Sequence, residues 1–180
     1  MGPIEYYFLT LILIFGVVGW IRTFPKELGV TIPVLFGMYI LVKFNQRILD
    51  LIDLVYEFQG TPGEGLIIFN IYLIFMLFIT LISYEGETLA FAGGSAPGPV
   101  GIMLDIGSGL FNGYLIIGTV WYYLDELNYP ISGLGLFSPP LSRFAERLIE
   151  LLPQNIPPEG LADEYFLALA VLLVILRVVR

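Results

Sequence analysis

The chain has 180 residues, of which 57% are apolar and 13% charged, and its mean hydropathy is +0.86. Soluble domains carry about 45–50% apolar residues, so this is the composition of an integral membrane protein. It contains neither cysteine nor histidine, which excludes disulfide frameworks, thiolate chemistry, the commonest haem and zinc ligands and every Ser-His-Asp arrangement. A formal charge of −8, from 16 acidic against 8 basic residues, disfavours nucleic acid and leaves no basic patch for anionic lipid.

The first apolar segment runs over residues 4–21, with Glu5 near its start and Arg22 and Lys26 beyond its end. At about 1.5 Å per residue a helix of that length just crosses the hydrocarbon. The opening Met-Gly-Pro-Ile-Glu has neither the positive start nor the small-residue cleavage site of a secretory signal, so a retained span is expected. Pro25 suits the first turn of a second helix over 25–42, and Pro33 inside it should kink or break it. From 43 to 58 the pattern becomes amphipathic. Phe44, Ile48, Leu51, Val55 and Phe58 recur every three or four residues, with Lys43, Gln46, Arg47, Asp50, Asp53 and Glu57 between them. This predicts a helix on the membrane surface, on its own bundle or against a partner.

Gly60 to Gly65 is a turn cluster, and residues 66–83 form an uncharged span. Residues 84–99 read as an exposed, partly re-entrant loop. The segment 100–124 is long enough to span with tilt and ends in the aromatic belt Trp121-Tyr122-Tyr123. Ser138-Pro139-Pro140 can cap a second amphipathic helix over 139–152, with Leu141, Phe144, Leu148 and Leu151 on one face and Arg143, Glu146, Arg147 and Glu150 on the other. Residues 164–180 are a candidate fifth span bounded by Asp163-Glu164 and by Arg177 and Arg180. The expected fold is therefore all-α: one polytopic helical membrane domain over 1–180, with four to five transmembrane helices and two amphipathic surface helices. Taking Arg22 and Lys26 as cytoplasmic places the N-terminus outside.

Gly101, Asp105, Gly109 and Gly113 recur every fourth residue, so one face of the fourth span is nearly bare backbone and suits close helix packing or a self-association seam. Asp105 is the one acid within a span, which makes it either a hydrogen-bonded structural group or a candidate ion or proton site. Asn70 and Asn112 suit interhelical hydrogen bonds. Glu85 and Glu87 lie on a loop with no nucleophile or base beside them. No catalytic residue, metal site or cofactor is expected.

The run Gly19-Trp20-Ile21-Arg22-Thr23-Phe24-Pro25-Lys26-Glu27-Leu28 resembles the first inter-helix connector of the colicin V production protein (CvpA-like) family. Arg22, Phe24, Lys26, Glu27 and Leu28 match that pattern, while Thr23 stands where the family has glycine. Ser95-Ala96-Pro97-Gly98-Pro99 leading to Leu110-Phe111-Asn112-Gly113 and Leu115-Ile116-Ile117 is similar to the family's Gly-rich approach to its last span, though Asp105 stands where a small residue is expected. Ser138 followed by Pro-Pro-Leu resembles its C-terminal tail. The likeness covers most of residues 1–153, and residues 165–176 have no counterpart. It implies a multi-pass protein of the bacterial inner (cytoplasmic) membrane, without an agreed biochemical activity.

The expected role is that of a non-enzymatic accessory or scaffold subunit that packs against membrane lipid, partner membrane proteins or a second copy of itself, with no nucleic acid involved. Arg22 and Glu27 would order the connector by an ion pair or a capping contact, with Lys26 beside them. Two alternatives stand beside this reading. One is a small channel or transporter component using Asp105, the helix kinked at Pro33 and the broken loop from Gly93 to Pro99. The other is a structural subunit of a respiratory or photosynthetic membrane complex.

Overall fold

The structure, a computed structural model, describes residues 4–56, 63–85, 91–94, 96–132, 140–158 and 160–179. Six helices account for most of them: α1 (Ile4–Arg22), α2 (Phe24–Tyr56), α3 (Glu64–Glu85), α4 (Pro99–Glu126), α5 (Arg143–Glu150) and α6 (Ala162–Val179). No strand occurs among the described residues. Helices α1 to α4 are long and apolar enough to cross a membrane.

The pairings show how the helices run. Gly19 of α1 faces Gly109 of α4, Phe15 faces Gly113, and the Phe8 ring meets Trp121 edge-on at 4.6 Å, so α1 and α4 are antiparallel. Between α2 and α3 the contacts are Glu27 with Tyr84, Gly37 with Ile79 and Asn45 with Tyr72, again antiparallel. Phe24 and Leu28 of α2 share an apolar groove with Leu173 and Leu176 of α6, while at the opposite end Lys43 Nζ lies 2.9 Å from Asp163 Oδ2. Helix α6 therefore runs antiparallel beside the part of α2 between Phe24 and Lys43.

Helix α2 is the central one: 56% of its most apolar stretch is buried inside the protein, against 28% for α1 and 22% for α3. Val34, Leu35, Met38 and Leu41 pack with Tyr72 and Met76 of α3, Leu115 and Ile116 of α4, and Phe166 and Ala170 of α6. A second cluster joins Ile4 and Phe8 of α1, Trp121 and Leu124 of α4, and Ala145 and Leu152 in and beside α5. Outward, Leu13, Ile14, Trp20 and Ile21 of α1 and Phe78, Leu81 and Ile82 of α3 are exposed. A continuous apolar exterior of this kind is suited to hydrocarbon rather than water.

Three expectations change. First, residues 25–42 and 43–56 form one unbroken helix through Pro33, with residues 57 and 58 outside the described set. A proline removes a single N–H from the ladder, and the buried flanks Val30, Ile32, Val34 and Leu35 hold the helix against its neighbours. The inward stripe beyond Lys43 contains Ile48, Leu49 and Ile52, whereas Phe44 and Leu51 are exposed. Second, within 139–152 the helix is confined to Arg143–Glu150, and Ser138 and Pro139 lie outside the described residues. Its N-cap is Ser142, whose Oγ accepts from the Ala145 N–H at 3.0 Å and donates to Glu5 Oε1 at 2.7 Å. Ala145 and Leu152 are buried while Phe144 and Leu151 are exposed, so the helix is rotated relative to the face predicted from its apolar pattern. Third, Tyr84 and Glu85 belong to α3 rather than to the following loop; residues 86–90 and 95 lie outside the described set, including Glu87. Residues 92–94 and 96–98 are exposed, and Phe91 is buried, its N–H donating to Pro25 O at 3.1 Å.

The turn after α4 is also ordered by buried polar contacts. Asn128 and Tyr129 both adopt left-handed φ values, 55° and 54°, and the Trp121 indole N–H donates to the buried Tyr129 hydroxyl at 3.2 Å. Burial pushes the Tyr129 phenol well above its ordinary value of 10.0, and Asp125 beside it pushes the same way. A phenol that binds its proton more tightly when folded loses its stabilising contribution as pH rises above the unfolded value. Stability is therefore expected to fall above about pH 10, and Tyr129→Phe should lessen that alkaline loss in a pH series of thermal unfolding curves.

Candidate functional site

Several buried polar residues converge where the α1–α2 connector meets α3 and α4. The connector itself is a single residue, Thr23, at φ 77°. Its N–H donates to Gly19 O at 2.8 Å, closing α1, and its carbonyl accepts from Lys26 and Glu27, opening α2. The left-handed region favours glycine and is a strained place for a β-branched side chain, by about 1–2 kcal/mol. Thr23→Gly is therefore expected to raise unfolding stability by about 1 kcal/mol, read as a higher melting temperature in detergent; an unchanged or lowered one would count against the strain.

A helix that starts inside the protein exposes N–H groups with no intrahelical partner. Asp105, in the second turn of α4 and 6% exposed, accepts the first of these: the Phe24 N–H donates to its Oδ1 at 2.6 Å. Placing a carboxylate at the positive end of α2 is electrostatically favourable. At the other terminus of this junction the Arg22 Nη1 donates to Tyr84 O at 2.9 Å near the end of α3, and the guanidinium lies 5.0 Å from the Tyr84 ring centroid. Arg22 Nε is 3.3 Å from Glu27 Oε1, a close ionic contact without the alignment of a hydrogen bond.

Glu27 is fully buried, in the first turn of α2, and Asn112 of α4 is equally buried. The two Asn112 N–H bonds go to Glu27 Oε2 at 2.8 Å and Glu27 O at 2.9 Å, and the Tyr84 hydroxyl donates to the same Oε2 at 3.1 Å. Thr31 Oγ lies 2.7 Å from Asn112 Oδ1 and 3.0 Å from Glu27 O, with one proton to give to either. Four helices are thus tied together by one anion and its donors. Away from water such groups must satisfy one another; this set does so through Glu27 Oε2, while Glu27 Oε1 and Arg22 Nε face each other only as an ionic contact.

The sequence-predicted residues are distributed as follows. Asp105, Gly109 and Gly113 face α1, where a side chain at Gly19 would put its Cβ 2.5 Å from Asp105 O and 2.6 Å from Gly109 Cα. Gly101 does not join that seam; its missing side chain leaves room for the Ala96 carbonyl of the preceding loop. Arg22 and Glu27 meet, whereas Lys26 is exposed on the other side of the turn. Asn112 is the centre of the network, and Asn70 donates back to Leu66 O within its own helix at 2.8 Å. Glu27, Thr31 and Tyr84 were not predicted as buried partners. A signal existed: Glu27 and Thr31 are four apart and Asp105 and Asn112 seven apart, so each pair lies on one helical face. Among the described residues no cluster of acidic side chains is arranged to hold a metal. Comparison with protein-family models, with curated proteins and with solved structures returns no match to this chain.

Proposed function

We propose that this is a non-enzymatic membrane protein of the colicin V production type, resident in a bacterial cytoplasmic membrane, that acts as an accessory or scaffold subunit by packing against lipid and partner helices. The observation that carries this reading is the division of its surface. Arg22, Glu27, Asn112 and Tyr84 answer one another inside the junction, Asn70, Thr80 and Thr119 bond back to their own helices, and the exposed faces of α1 and α3 are largely apolar. The Gly109 and Gly113 face of α4 is filled by α1 of the same chain, so association with another molecule falls to the outward faces of α1, α3 and α6 and to that of α4 at Ile102, Met103 and Phe111. Extraction in a mild detergent, followed by native sizing and mass spectrometry of co-migrating proteins, tests the role. Stoichiometric companions support it, and a lone chain of 20.1 kDa counts against it.

The channel reading rests on Asp105, whose Oδ1 is engaged in closing the N-terminus of α2. Asp105→Asn is accordingly expected to leave proton or ion flux in liposomes unchanged. A change in flux would revive that alternative.

A further inference from the structure

A cavity of about 600 Å³ opens between α2 at Val42 and Lys43, the last turns of α4 and the start of α6, lined by Lys43, Tyr122, Gln154, Asn155, Pro157 and Asp163 among others. Its level is set by three helices at once. The apolar part of α2 gives way to charge at Lys43, the aromatic belt of α4 stands at Tyr122 and Tyr123, and α6 begins at Asp163 and Glu164. Where apolar runs end in aromatic and charged residues, a membrane protein meets the headgroup layer. The volume lies within the range of small-molecule sites, and the lining mixes charge of both signs with uncharged polar groups.

Two features ask for a ligand rather than for bare lipid tails. The Lys43 ammonium contacts Asp163 at 2.9 Å, and its side chain is 51% exposed, so a three-donor cation stands at the cavity wall with capacity beyond that one contact. Gln154, 8% exposed, donates its Nε2–H to Thr119 Oγ at 2.8 Å, while among the described residues nothing donates to its buried Oε1. A buried acceptor left unpaired is costly, and a donor at this wall of the cavity would relieve it once the Gln154 side chain shifts slightly toward it. A cation for a phosphate and acidic or carbonyl oxygens for an N–H donor together describe a zwitterion. The neighbouring acids Asp125, Glu126 and Glu164 disfavour a ligand with net negative charge.

We propose that this cavity holds the headgroup of an amine-bearing zwitterionic phospholipid of the phosphatidylethanolamine class, with its phosphate on Lys43 and its ammonium toward Asp163 and Gln154. The assignment rests on the reading of the chain as a membrane protein in contact with lipid, but not on its having protein partners. It is tested on the purified full chain, so it stands or falls separately from the companion search.

The experiment is native mass spectrometry of the detergent-solubilised full chain titrated with phosphatidylethanolamine, with phosphatidylcholine, which keeps the phosphate but has no N–H, and with phosphatidylglycerol, which carries a net negative charge. Retention of phosphatidylethanolamine should exceed that of the other two by about tenfold, the scale of one charge-assisted hydrogen bond. Lys43→Gln and, independently, Gln154→Met should each reduce that preference several-fold, while Arg47→Gln, whose guanidinium lies over the Phe44 ring, should not. Melting curves of each variant separate loss of the site from loss of the fold, and the two variants perturb different contacts. Equal retention of the three lipids, no retained lipid, or an undiminished preference in both variants would overturn the proposal. Soluble phosphoethanolamine binding as tightly as the lipid would assign the same chemistry to a free ligand and overturn the lipid itself.

Discussion

Replacing Glu27 with alanine is expected to lower unfolding stability by about 3–5 kcal/mol, the range seen when one partner of a buried charge pair is removed. The side chain is fully buried and its carboxylate is the common acceptor for Asn112 and Tyr84 and the counter-charge of Arg22. Its loss strands the Tyr84 hydroxyl and one Asn112 N–H and removes the counter-charge of Arg22, whose Nη1 keeps its bond to Tyr84 O. Glu27→Gln should cost less, because the amide oxygen still accepts from Asn112 or Tyr84 while the charge facing Arg22 is gone. Thermal or denaturant unfolding in detergent measures both, and a Glu27→Ala protein as stable as the parent would mean that the junction contributes nothing. Asn112→Leu provides a check on the same network from α4, since it removes the donors and leaves the carboxylate.

The second large effect is expected at the α1–α4 seam. A Cβ at Gly19 would stand 2.5 Å from Asp105 O and 2.8 Å from Gly109 N, and at Gly113 it would stand 2.6 Å from Phe15 Cβ. The atoms in the way at Gly19 are backbone, so no rotamer change relieves the clash and the helices must separate. Gly19→Leu or Gly109→Leu should therefore destabilise by about 3 kcal/mol, the upper part of the overpacking range. The displaced α1 would also drag the Thr23 turn away from Asp105. Gly107 is the matched control on the same helix: nothing lies within 4 Å of a Cβ built there, and Gly107→Ala should be neutral or stabilising by up to about 1 kcal/mol. If Gly19→Leu melted like Gly107→Ala, the two helices would not be in backbone contact.

How much of this was legible in the sequence differs from element to element. The uncharged run 66–83 and the long run 100–124 appear as α3 and α4 with their ends extended by one or two residues, because a length of apolar sequence and its charged boundaries are local properties. The division of residues 25–58 at Lys43 is absent from the structure because a change of composition marks where a helix leaves the hydrocarbon, not where its backbone hydrogen bonds stop. The faces of the two amphipathic segments were legible only in part: Ile48, Leu141 and Leu148 pack against the core as their spacing implies, whereas Phe44, Leu51, Phe144 and Leu151 are exposed, because which neighbours cover an apolar stripe is set by tertiary packing and not by its period.

Composition and hydropathy by themselves determined the all-helical, membrane-suited character of this protein and the absence of thiol and imidazole chemistry, because a bilayer leaves a long apolar chain little choice but helices. They also marked Arg22, Glu27, Asp105, Asn112 and the glycines of the fourth span as residues that needed an explanation. Which groups answer one another was decided by tertiary structure alone. The pairing of Asp105 with the Phe24 N–H spans 81 residues of chain, and that of Asn112 with Glu27 spans 85. No local pattern encodes contacts at such separation. They follow from the antiparallel docking of α1 on α4, possible because Gly19 and Gly109 let the backbones touch, which sets the start of α2 against the stretch of α4 that carries Asp105 and Asn112.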